Sequence, residues 1–131
     1  MRDERLLRGR WRGNDEADWG PLERILPIQL CGPFMWMGDI ELEGGGLLRA
    51  YKHSSTRRYF HLDEDGAPYR YVDPDLYVPI RHHDAVELVF PPTWLLHEAE
   101  DGDADLLKGA LAAAIERDDV ESARGVDPGP L

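Results

Sequence analysis

The sequence predicts an α+β fold, an antiparallel β-meander of about five to six strands packed against C-terminal helices. Three observations predict it. Residues 47–80, LLRAYKHSSTRRYFHLDEDGAPYRYVDPDLYVPI, read as short strands separated by turn residues. Leu107, Ala110, Leu111, Ala114 and Ile115 fall at helical spacing and make one apolar stripe. Strand signals precede helix signals, and nothing repeats at a fixed period.

In chain order, residues 1–20 read as an arginine-rich arm, with Trp11 and Trp19 as anchors against the domain. Arg-Gly-Arg-Trp-Arg-Gly resembles arms that settle on phosphates, but Asp15, Glu16 and Asp18 follow at once. The domain is expected over residues 21–118. Pro21 to Leu26 forms one helical turn, since a first-turn proline loses no hydrogen bond. Ile28 to Cys31 and Phe34 to Leu42 read as strands split by Gly32-Pro33. Glu43-Gly44-Gly45-Gly46 turns the chain, and lacks the Lys-Ser/Thr of a phosphate loop.

The meander follows. Ser54, Ser55 and Thr56 are turn residues that can bond their own backbone. Asp65-Gly66 is a hairpin signal, because glycine accepts positive φ. A two-residue loop there sets Leu62 opposite Tyr69 and Phe60 opposite Tyr71; the Ser55-Thr56 turn sets Phe60 opposite Tyr51. One face then carries Tyr51, Phe60, Leu62, Tyr69 and Tyr71, the other Lys52, Tyr59, His61 and Arg70. A three-residue loop with a bulge at Gly66 is the alternative, and sets His61 opposite Tyr69. Beyond the sheet, Asp84 is expected to cap a helix through Phe90, and Thr93 to Glu98 to form another. Asp103 or Asp105 starts the striped helix, ending near Arg117. Residues 119–131 lack apolar periodicity and are expected to be a disordered tail.

Charge and composition bound the function. The chain of 131 residues has net charge −11, and residues 82–131 hold twelve acids against three bases. That balance repels nucleic acid and attracts basic partners. The single cysteine, Cys31, excludes an internal disulfide and fits a reducing compartment. No apolar run reaches membrane-spanning length and the first residues show no secretory pattern, so the expectation is a cytoplasmic protein without a membrane partner.

No catalytic or metal motif survives inspection, and no cofactor is expected. Asp101-x-Asp103-x-Asp105 imitates the opening of a calcium loop, but Leu106 and Ala112 stand where that loop needs Gly and Glu. His82 and His83 are adjacent, and adjacent strand residues point to opposite faces. Cys31 sits in apolar company and reads as inert. The candidate binding residues are Arg57, Arg58, Tyr59, His61 and Arg70, arginines beside aromatics on one sheet face and its turn. The leading expectation is a non-catalytic accessory module that binds a protein partner. The alternatives are a single-stranded nucleic-acid binder through the basic-aromatic face, and a small enzyme or ligand carrier with a pocket near Trp36 and the histidines.

Overall fold

The computed structural model describes residues 6–97 and 102–125. Its sheet is an antiparallel meander of six strands: β1 (Leu7–Trp11), β2 (Phe34–Leu42), β3 (Leu47–His53), β4 (Tyr59–Leu62), β5 (Pro68–Val72) and β6 (Leu76–Pro79). The α+β class and the meander order hold. The sheet also closes, because β1 pairs with both β2 and β6, so the meander is a barrel without free edges.

Closure makes Leu7–Trp11, expected within an arm over residues 1–20, a strand of the barrel; residues 1–5 lie outside the described ones. Leu7, Gly9 and Trp11 are the inward positions of β1, and a glycine in the middle hides the alternation. Gly9 faces the barrel axis so closely that a Cβ there would lie 2.5 Å from the Tyr77 ring. The arginines between them point out to carboxylates: Arg10 to Glu41 at 2.8 Å, Arg12 to Glu41 at 3.7 Å and Arg8 to Asp75 at 3.8 Å. These exposed pairs add little stability, but they occupy the charges that an arm would offer to phosphate.

The β4–β5 hairpin follows the bulged alternative. Asp63 donates its N–H to Ala67 O and Gly66 donates to Asp63 O, leaving Glu64, Asp65 and Gly66 as a three-residue loop. Gly66 takes φ +88°, and the Asp63 carboxylate accepts from the N–H groups of Asp65 and Ala67. His61 therefore faces Tyr69, and Tyr51 faces Phe60 as expected. Tyr69 and Tyr71 move to the inner face with Tyr59 and His61, while Tyr51, Phe60 and Leu62 stay on the outer one.

Five helices cover that outer face: α1 (Gly20–Ile25), α2 (Ile28–Cys31), α3 (His82–Val89), α4 (Pro92–His97) and α5 (Asp103–Gly125). The segment expected as a strand at 28–31 is the helical turn α2, since Gly32-Pro33 and Pro27 leave it too short to pair. Leu22, Leu30, Phe34, Tyr51, Phe60, Leu62, Val86, Val89, Trp94 and Leu107 form the main core between sheet and helices. The stripe of α5 is buried at Leu107, Ala110 and Ala114, but Ile115 is 49 % exposed. Helix α5 also runs past residue 118 to Gly125, where a tail was expected; residues 126–131 lie outside the described ones. The reason is Asp118, which continues the buried side of the stripe four residues after Ala114. Its carboxylate accepts from the N–H groups of His82 and His83 at 2.6 and 3.1 Å and so caps α3. Asp84, expected in that role, is exposed in the first turn.

A second, smaller core fills one end of the barrel: Ile40, Leu42, Leu48 and Tyr77, with Leu7 and Tyr69 against them. Six strands enclose little space, and these side chains plug that end. The other end stays open.

Candidate ligand site at the open end of the barrel

Inner positions that line the open end are Trp11, Ala50, Tyr59, His61 and Tyr71, together with Tyr77, which the cavity shares with the second core. Ala50 faces His61 across β3 and β4, and the small residue leaves room that a larger one would fill. The result is a cavity of about 810 Å³, walled by these residues with Met37, Ile40 and Tyr69 and rimmed by Thr56, Arg57, Arg58, Arg70 and Leu88. Volumes of this order suit a small organic molecule.

The inner wall is a run of touching rings. Tyr59 and His61 lie parallel with centroids 5.3 Å apart. Tyr77 meets His61 edge-on at 5.1 Å and Tyr71 at 5.4 Å. Lys52, the cross-strand partner of Tyr59, has its Nζ 5.7 Å from the Tyr59 ring centre. His61 is 7 % exposed, and its ring makes no hydrogen bond to another described residue. Burial lowers its pKa to about 4, so the ring is neutral near pH 7 and offers one donor and one acceptor. Burial raises the pKa of Tyr77, with the neighbouring Tyr71, Asp75 and Tyr59 adding to it. Its hydroxyl therefore stays protonated.

The rim has the opposite character. Arg57 and Arg58 leave the Ser54–Arg57 loop, in which His53 donates to Arg58 O and Arg57 donates to His53 O. Arg57 holds φ +62°, a left-handed conformation that disfavours any residue with a Cβ. Arg58 Nη1 donates to Leu88 O at 3.2 Å, tying the loop to α3. Arg70 comes from the outward side of β5. None of the three forms an ion pair with a described carboxylate, and no acid lines the cavity.

All five residues singled out in the sequence, Arg57, Arg58, Tyr59, His61 and Arg70, border this one cavity. Sequence reasoning missed Trp11, Tyr69, Tyr71 and Tyr77. Tyr69 and Tyr71 were on the wrong face by one residue of register, and Trp11 was in the arm. The pocket expected near Trp36 is elsewhere: Trp36 lies on the outer face, in edge-on contact with Trp19 and Tyr51, and donates to Asn14 O at 2.6 Å. Of the histidines only His61 reaches the cavity. His53 is buried in the outer core, where its Nδ1 accepts from the N–H groups of Ser55 and Thr56.

Comparison with known protein families, characterised proteins and solved structures found no match to this chain. The site is therefore read from its own chemistry. A metal has one cluster to consider among the described residues, His83, Asp84 and Glu87, with ligand atoms within 4.8 Å of one another. His83 is already engaged there, by Asp118 at Nδ1 (2.8 Å) and Asp84 at Nε2 (3.2 Å). The hydrogen bond to Asp118 raises the His83 pKa, with Asp84 and Glu87 adding to it, which favours the imidazolium over a metal ligand. Burial would raise the pKa of Asp118, but hydrogen bonds from the His83 ring and from the His83 and His82 backbone outweigh it and leave that pKa lowered. Cys31 is buried, its pKa pushed up to about 11 by burial and by Glu23, so it carries no thiolate. No described helix is long and apolar enough to cross a membrane.

Proposed function

We propose that the protein is a non-catalytic binding protein that takes a small organic anion into the open end of its barrel. One observation carries the reading. In a chain of net charge −11, the rim of this aromatic cavity holds three arginines and, among the described residues, no acid. Guanidinium groups without carboxylate partners attract an anion, and can grip it bidentately. The apolar part of the ligand would lie on the ring wall and exclude water.

The protein-partner reading rests on the opposed charges of the chain, and among the described residues no surface is singled out for such a partner. Single-stranded nucleic acid keeps one specific argument: Trp11 is 66 % and Tyr71 43 % exposed at the rim, where a base could stack.

The test uses 1-anilinonaphthalene-8-sulfonate, a fluorescent aromatic anion, titrated onto the folded protein. The expected result is saturable binding that weakens with salt and falls about tenfold or more in Arg57→Ala/Arg58→Ala, the loss of two charged contacts. Equal binding by wild type and double variant would remove the arginine rim from the site and overturn the reading.

A further inference from the structure

Resting on that reading, we infer that the natural occupant is a planar aromatic ring carrying a phosphate, with the ring on the Tyr59–His61–Tyr77–Tyr71 wall and the phosphate at Arg57, Arg58 and Arg70. Two features of the site support each half separately.

The ring half comes from the wall. Four tyrosines, a histidine and a tryptophan line the cavity, against the few aliphatic side chains of Met37, Ile40, Ala50 and Leu88. Three contacts brace the rings in this arrangement. Tyr77 is wedged against Gly9, Tyr71 Oη donates to Pro74 O at 2.5 Å, and the Tyr59 and His61 planes lie within 2° of parallel. A pre-set aromatic surface costs a flat ligand little ordering entropy and rewards it with stacked and edge-on contacts. The neutral His61 adds one donor and one acceptor at the depth where a heteroaromatic edge would lie.

The phosphate half comes from the rim. A carboxylate has two oxygens and one charge, enough for one bidentate arginine. Three arginines match a phosphate, with three terminal oxygens and close to two charges near neutral pH. Arg57 also holds a positive φ where glycine or asparagine would sit without strain. A long cation kept at that position fits a role for its side chain at the mouth.

The test crosses the two features with four probes: phenyl phosphate, benzoate, octyl phosphate and octanoate, each titrated by calorimetry onto the full chain. Phenyl phosphate is expected to bind about tenfold tighter than benzoate and than octyl phosphate, since stacking and the extra charged hydrogen bonds are each worth that much. Tyr59→Leu should cost phenyl phosphate its advantage over octyl phosphate, and Arg70→Ala its advantage over benzoate; Arg70 is exposed, so that variant keeps the fold. Octyl phosphate or octanoate binding as tightly as phenyl phosphate would overturn the inference and leave the organic-anion site standing. Failure of all four probes to bind in an arginine-dependent way would overturn that reading as well. Adenosine and uridine 5′-monophosphates identify the source: tighter binding than phenyl phosphate marks a nucleotide, weaker binding a non-nucleotide aryl phosphate. A 5′-phosphorylated decathymidylate binding well beyond thymidine monophosphate would overturn a small-molecule occupant in favour of a strand.

Discussion

Two groups of arginine in this molecule behave in opposite ways. Arg49, on the outward side of β3, is satisfied: Nη1 lies 3.2 Å from Asp39 and Nε 3.3 Å from Asp18, and its side chain is 17 % exposed. Asp39 also accepts from Asn14 Nδ2 at 3.0 Å, while Tyr51 donates to Asp18 O at 2.6 Å. This network straps the 12–19 segment across the outside of β2 and β3. Among the described residues, Arg57, Arg58 and Arg70 have no such carboxylates, and the rings beside them face a cavity instead of a helix. The difference teaches where to look for function in an unfamiliar fold. Charges that hold the fold together are paired inside it, whereas the three arginines at the cavity rim lack carboxylate partners among the described residues and form the anion site proposed above.

The comparison predicts that the two groups respond differently to removal. The largest effect should come from Asp39→Ala, which removes the more buried of the two carboxylates on Arg49 and frees Asn14 of the strap. Loss of one partner of a buried ion pair costs about 4 kcal/mol, read as a lower urea midpoint with unchanged m-value. An unchanged midpoint would show that Asp18 alone satisfies Arg49.

The next effect lies at the cavity floor. The folded-state pKa of His61, about 4, is below its ordinary 6.5, so the unfolded chain binds the extra proton between those values. Stability contributed by the neutral ring is whole above pH 6.5 and is lost as pH falls toward 4, by about 3 kcal/mol across that window. His61→Asn should abolish this part of the pH dependence; the variant and wild type should converge near pH 4. His83 has the reverse sign. Its pKa is raised, so its contribution is present below 6.5 and fades as pH rises through its higher midpoint.

The smallest effect should be a gain. Arg57→Gly relieves the left-handed backbone and should leave stability equal or raised by up to about 1 kcal/mol, while anion binding weakens. Destabilisation measured by thermal melting would assign Arg57 to the fold, alongside Arg49.

Much of this was legible in the residues. Turn chemistry at Ser54–Thr56 and Asp65-Gly66, the strand runs between them and the stripe of α5 are local patterns, and local patterns set element type and order. The clustering of Arg57, Arg58, Tyr59, His61 and Arg70 was legible for the same reason, since neighbouring strands of a meander pair. What the sequence left open was settled by contacts far apart in the chain. One residue of loop length at Gly66 turned Tyr69 and Tyr71 from the outer face to the inner one, because side chains alternate with a period of two. Pairing of β1 with β2 and β6, which turned an arm into a barrel wall and set Trp11 at the mouth, depends on Gly9 fitting against Tyr77 across the barrel. The cap of α3 by Asp118 spans 36 residues. Each of these is a long-range fit of shape or charge, and no local propensity encodes it. The sequence by itself determined the strands, the helices and the cluster of basic and aromatic residues; only the closed tertiary structure decided that the cluster surrounds a cavity.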